Sequence, residues 1–142
     1  DNPIRLENLA NSVDNRFTYL SRAIDDHLHR FPTIANGLNA MENNILRQAL
    51  EKKPKNKKEF LSTLLQNQGM LGFGDTQYER AISRLKPLFK GFNPVRLSEK
   101  GMEILDGKTS YYSCIQDNDV YLGGALKYNF LYNTENNRIL KL

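Results

Sequence analysis

The stretch GDTQYERAISRLKPLFKGFNPVRLSEKGMEILDG, Gly74 to Gly107, decides the fold. Thr76 is a candidate N-cap with Glu79 three residues on, the spacing at which a cap and its third residue satisfy two orphan backbone donors reciprocally. A helix is therefore predicted from Thr76. Tyr78, Ala81, Ile82 and Leu85 recur at i, i+3, i+4 and i+7, which gathers them on one buried stripe. Gln77, Arg80, Ser83 and Arg84 are left outside as a polar, basic face. Past Leu88 and Phe89, Pro94 leads into an extended run of Val95, Arg96 and Leu97. Ser98 then caps a second short helix, predicted to end near Asp106 and Gly107.

Upstream, Pro3 suits the first turn of a helix, and Ile4, Leu6, Leu9, Ala10 and Val13 supply an apolar stripe. A second helix over 15–30 carries Phe17, Leu20, Ile24, His27, Leu28 and Phe31 on one face, and Pro32 forbids its continuation. Both histidines lie in DDHLHR, 25–30, but side chains two apart on a helix face different ways. Only Asp25 and His29 have the i, i+4 spacing, so no metal site is predicted. After Gly37, Asn39 and Glu42 are cap and third residue of a helix with apolar positions Met41, Ile45, Leu46, Ala49 and Leu50. It is predicted to stop at Lys53, before Pro54. The turn KKPKNKK brings together Lys52, Lys53, Lys55, Lys57 and Lys58. Asn56, with Glu59 three residues on, caps the next helix, whose buried edge is Phe60, Leu61, Leu64 and Leu65 and whose stop is Gly69.

Helix, basic turn, helix, loop, helix, short extended segment and capped turn is the order of a winged helix-turn-helix domain, although the 69–75 loop exceeds the usual 3–4 residues. The wing is short, because only 90–94 separates Phe89 from Val95. Beyond Tyr111, YYSCI, VYLGGALKY and the pair NFLYN and RILKL read as strands, with TENN as a hairpin turn and Gly123–Gly124 as a bulge or a close backbone approach. These strands are predicted to form a small antiparallel sheet that extends the wing and covers helices; Tyr111, Tyr112, Tyr121, Tyr128 and Tyr132 could stack on bases, although sheet aromatics more often pack across strands. The fold class is thus α+β: a mainly helical winged helix-turn-helix-like core at 37–107, preceded by a helical hairpin at 1–36 and followed by a small β-sheet at 108–142, all one compact unit.

At 142 residues the chain suffices for one ordinary core. It has no apolar run of membrane-spanning length and no signal segment, so a cytoplasmic protein with no membrane partner is expected. The single cysteine, Cys114, excludes an internal disulfide and fits a reducing compartment. A formal charge of +4 favours an anionic partner mildly. The start at Asp1, without an initiator Met, suggests a piece of a longer or processed protein.

Several motifs carry a family resemblance: HLHRFP at 27–32, GLNAMENNIL at 37–46, GFGDTQYERAISRL at 72–85, RLSEKGMEILDG at 96–107 and DVYLGGALKY at 119–128. Together they resemble the C-terminal half of an uncharacterised bacterial family known as domain of unknown function 1835, with Tyr121 where that family has Trp and Ala125 where Val is common. The resemblance implies a further N-terminal domain and no particular activity.

Two functions follow. In the first, the chain is a DNA-binding or transcription-related module: Gln77, Arg80, Ser83 and Arg84 enter a major groove while Lys52, Lys53, Lys55, Lys57 and Lys58 contact phosphates. In the second, it is an interaction or structural domain that packs on its own N-terminal domain or a protein partner. No enzyme is predicted, because no nucleophile has a spaced base, no ligand set holds a metal and no glycine loop cradles a cofactor phosphate.

Overall fold

A computed structural model of the chain describes residues 2–12, 18–68, 72–114, 121–122 and 125–142. Val13, the helix start expected at 15, Phe17, the stop at Gly69 and the pair Gly123–Gly124 lie outside the described residues. The chain is α+β: among those residues it forms six α-helices and three two-stranded antiparallel ladders. Two compact units divide it, one of 1–40 with 115–142 and one of 41–114. The terminal segments thus belong together.

In the terminal unit Pro3 opens α1 (Pro3–Ser12), and α2 (Thr18–Leu28) follows. Ile24, Leu28 and Phe31 build a core with Ala125, Phe130, Tyr132 and Ile139, and Ile4 and Leu122 pack against it. The predicted hairpin is present as β5 (Phe130–Asn133) and β6 (Arg138–Lys141), in the register Leu131↔Leu140 and Tyr132↔Ile139. Its alternation buries Phe130, Tyr132 and Ile139 on one face, as a period of two requires. The hairpin does not extend the wing. Its ladder is separate, and β5 pairs instead with the turn after α2: Tyr132 N–H donates to Pro32 O at 2.7 Å, and Ile34 N–H to Tyr132 O at 3.1 Å. From α1, the buried carboxylate of Glu7 accepts the Ile139 N–H on the other strand. VYLGGALKY is broken up: β3 (Tyr121–Leu122) and β4 (Ala125–Leu126) are two residues each, and a 3-10 turn, Lys127–Asn129, follows.

In the unit of 41–114, α3 (Ala40–Lys52) begins directly after Asn39 and stops where predicted, with Lys53 at φ 47 before the buried Pro54. The α4 helix (Lys57–Gln66) is capped by Asn56, whose Oδ1 accepts Glu59 N–H at 2.8 Å. The start of α5 (Asp75–Arg84) differs from expectation. Thr76 and Glu79 do not form the cap. Gly74 stands at the N-cap, and its N–H donates to Oε1 of Gln77 at 2.9 Å. The box spacing occurs twice here, two residues apart, and the earlier instance is used. Tyr78, Ala81, Ile82 and Leu85 are buried as the period demands.

Leu88 leads into β1 (Phe89–Phe92), which pairs with β2 (Val95–Leu97) across a bulge at Lys90. Ser98 caps α6 (Glu99–Leu105), its Oγ accepting Gly101 N–H at 3.1 Å, and Gly107 follows at φ 78. YYSCI is no strand: Tyr111–Cys114 is a 3-10 turn held by Ser110, whose carbonyl accepts the Ser113 hydroxyl at 3.0 Å. Leu50 and Leu65, expected in the core, are 42% and 38% exposed.

Gln68 clamps the α4–α5 connection. Its Oε1 accepts Phe73 N–H at 2.8 Å and the Tyr78 hydroxyl at 2.9 Å, while its Nε2 donates to Phe73 O at 3.0 Å. One side-chain amide thereby replaces a strand partner for the loop backbone and fixes the first turn of α5.

Two outcomes test this packing. Gly101 is buried, and an added Cβ would overlap Leu88 O and lie 3.1 Å from Leu88 C, on backbone that cannot rotate away. Gly101→Ala is expected to lower stability by about 2 kcal/mol or more in urea melts, as overpacking does. Burial pushes the Tyr78 phenol up to about 12 from its ordinary 10, so its hydroxyl contributes stability below pH 10 that is lost as pH rises towards 12. Tyr78→Phe should cost about 1 kcal/mol at neutral pH, and the gap from wild type should shrink between pH 10 and 12 in parallel melts.

Candidate nucleic-acid interface

Formal charge is divided unevenly between the two units. The segment 41–114 holds thirteen Lys and Arg against eight Asp and Glu, a charge of +5, whereas the terminal unit holds seven against eight, −1. The basic character of the chain is therefore a property of 41–114 alone.

Within that unit all nine predicted residues, Lys52, Lys53, Lys55, Lys57, Lys58, Gln77, Arg80, Ser83 and Arg84, are exposed. No ion pair among the described residues neutralises any of their cations. They form two groups. The lysine turn is joined to the β1–β2 hairpin: Val95 N–H donates to Pro54 O at 3.0 Å, and Lys57 Nζ stands 5.9 Å from the centre of the Phe92 ring. Phe92 in turn stacks on the buried Phe89 at 4.8 Å. Lys90 and Arg96, on the two hairpin strands, are exposed as well. Sequence reasoning missed these two because β1 was not foreseen as a strand; the run of Lys90 and Arg96 about Pro94 was the available signal. The second group lies on α5. No hydrogen bond or ion pair among the described residues joins it to the lysine turn.

The outer face of α5 is not uniformly basic. Asp75 and Glu79 are exposed alongside Arg80 and Arg84, so the helix is formally neutral. At about 100° per residue, Gln77, Arg80 and Arg84 fall along one edge of the exposed surface and Asp75 and Glu79 along the other, with Thr76 and Ser83 between. Gln77 has its Oε1 committed to Gly74 N–H, which leaves its NH2 to donate outward. At the far end of the helix, the Tyr111 hydroxyl donates to Arg84 O at 3.2 Å and so ties down the last turn.

The other candidates are structural. In the motif 27–32, Phe31 is fully buried and Pro32 O receives the β5 bond; His27 packs edge-on to Phe31 at 5.8 Å. Burial, with Arg30 adding to it, lowers the His27 pKa, so the ring is held neutral. His29 lies against Tyr132 at 4.7 Å, and its Nδ1 meets Asp25 O at 2.7 Å. Tyr111, Tyr128 and Tyr132 are buried and unavailable for stacking on bases. Among the described residues no group of three or more His, Cys, Asp and Glu is placed to hold a metal, and no helix is long and apolar enough to cross a membrane. Asp119, a residue of the last family-like motif, lies outside the described residues.

No family model, no curated protein and no solved structure matches the chain, so the family resemblance rests on its motifs alone.

Proposed function

We propose that segment 41–114 is a winged-helix-like module that binds duplex DNA, in a cytoplasmic, non-enzymatic and transcription-related role without a cofactor, and that the chain belongs to the uncharacterised family its motifs resemble. The observation that carries the reading is the exposed, unpaired lysine turn anchored to the hairpin in a unit of charge +5. The winged-helix reading draws on the same bond, because the Val95 N–H, donating to Pro54 O, ties β2 to the turn between α3 and α4.

The two groups divide the work. Lys52, Lys53, Lys55, Lys57 and Lys58 neutralise phosphates, releasing counterions in a sequence-independent, salt-dependent way. Arg80 and Arg84 supply the donors that read guanine edges, and the Gln77 NH2 donates to a purine N7, with Ser83 beside them. Asp75 and Glu79 repel phosphates from the opposite edge, so they orient α5 on the duplex instead of adding affinity.

Fluorescence anisotropy with a labelled duplex tests this. For three to five phosphate contacts, affinity should fall roughly 40- to 500-fold between about 50 and 200 mM salt. Replacing Lys55, Lys57 and Lys58 by Gln should flatten the logarithmic salt slope by about 0.9 for each lysine engaged. Absence of binding at the lower salt, or a slope that ignores these substitutions, overturns the proposal. An alternative reading, in which the unit binds its own N-terminal domain or another protein, is favoured by one feature, the apolar groove considered next.

A further inference from the structure

An open groove of about 380 Å³ lies in the unit of 41–114 between the C-terminal end of α3, the β1–β2 hairpin and α6. Ala49 and Val95 form its buried floor, and Leu50 and Met102, 42% and 45% exposed, are its walls. Lys53 and Arg96 stand at its rim, both exposed and neither ion-paired among the described residues. Among the described residues no acidic side chain lines it. Leu50 was expected in the core from its helical period; instead it is exposed beside a second large apolar side chain, Met102.

We propose that this groove docks an acidic peptide segment of a partner protein, with apolar side chains seated against Leu50 and Met102 and carboxylates paired to Lys53 and Arg96. Charge selects the occupant. The unit carries +5, so a second copy of it would set like charges face to face, whereas an acidic segment meets two unneutralised cations. The site is open to solvent on one side, unlike the cavities that enclose most of a small ligand's surface. An extended or helical segment lays anchors into such a groove and keeps its polar side in water. The proposal does not rest on the DNA reading, although Lys53 serves both.

Anisotropy titrations of the full chain with two fluorescein-labelled peptides provide the test, one of Leu, Phe, Asp and Glu and one with each acid replaced by its amide. The acidic peptide should half-saturate at or below roughly 100 μM, and the amide version should bind at least about fivefold more weakly. Leu50→Gln and Met102→Gln, both at exposed positions, should each weaken the acidic peptide at least about fivefold. Lys53→Gln and Arg96→Gln should cost roughly two- to fourfold. The salt slope for duplex DNA should be unchanged in Leu50→Gln, so failure of one proposal is separable from failure of the other. No anisotropy change up to about 1 mM peptide overturns the proposal. So does binding indifferent to both Gln substitutions in the walls, which would reduce it to attraction by the lysine turn. Concentration-dependent dimerisation lost in Leu50→Gln would assign the groove to a second copy and equally overturn it.

Discussion

Pro54 has no N–H to donate and its ring bars the α conformation from the residue before it, so α3 cannot continue past Lys53. The chain leaves the helix through φ 47 at Lys53, a left-handed conformation that costs a residue with a Cβ about 1–2 kcal/mol. What holds it there is tertiary: Pro54 is buried and its carbonyl takes the Val95 N–H of β2. From that one bond follow the position of the hairpin beside the α3–α4 turn, the floor of the groove and the outward direction of the lysines around a fixed proline. The turn is pinned on its other side too, where Glu59 accepts the Lys55 N–H and Asn56 caps α4. Five cations are thus presented on ordered backbone, and a polyanion that meets them has less chain entropy to suppress than it would on a loose loop.

The terminal unit depends on bonds of a different range. Its two ends are joined by backbone and carboxylate contacts across more than ninety residues of sequence, between Pro32, Ile34 and Tyr132 and between Glu7 and Ile139. The motif 27–32 acquires its role from this closure: Phe31 fills the core, and the carbonyls of His29, Arg30 and Pro32 accept from Ala40, Asn39 and Tyr132 respectively. Such a motif draws attention in sequence because it concentrates histidine and charge, although its spacing predicts no metal site. In the fold its work is to end a helix and start a sheet edge.

Features set by neighbours three or four residues away were legible. The stripes of α3 and α5, the Asn56 and Ser98 caps and the TENN hairpin all follow from local spacing. The failures have local rivals or distant causes. At α5 two boxes compete, and a glycine cap leaves no side-chain signature to favour the correct one. YYSCI has strand composition, but Ser110 bonds the backbone just after it and winds the segment into a turn, as short polar side chains do. β1 was hidden by Gly91 and Asn93, residues depleted from strands, and is a strand only because β2 is there to pair with it. The exposure of Leu50, the pairing of Thr33 with Tyr132 and the clamp made by Gln68 are tertiary facts with no periodic trace.

The distribution of charge bears on both proposed partners at once. A helix with acids along one edge and arginines along the other offers a polyanion little net attraction, so long-range steering must come from the lysine turn and hairpin, with α5 acting only at contact distance. The apolar groove opens beside that same basic end, and Lys53 belongs to both surfaces. An acidic segment seated in the groove would place its carboxylates where phosphates otherwise approach, lowering the local potential as well as occupying Lys53. DNA and the acidic segment would then exclude one another through the shared Lys53 and the lowered potential, with no conformational change required, and the coupling would weaken with salt as exposed charges are screened.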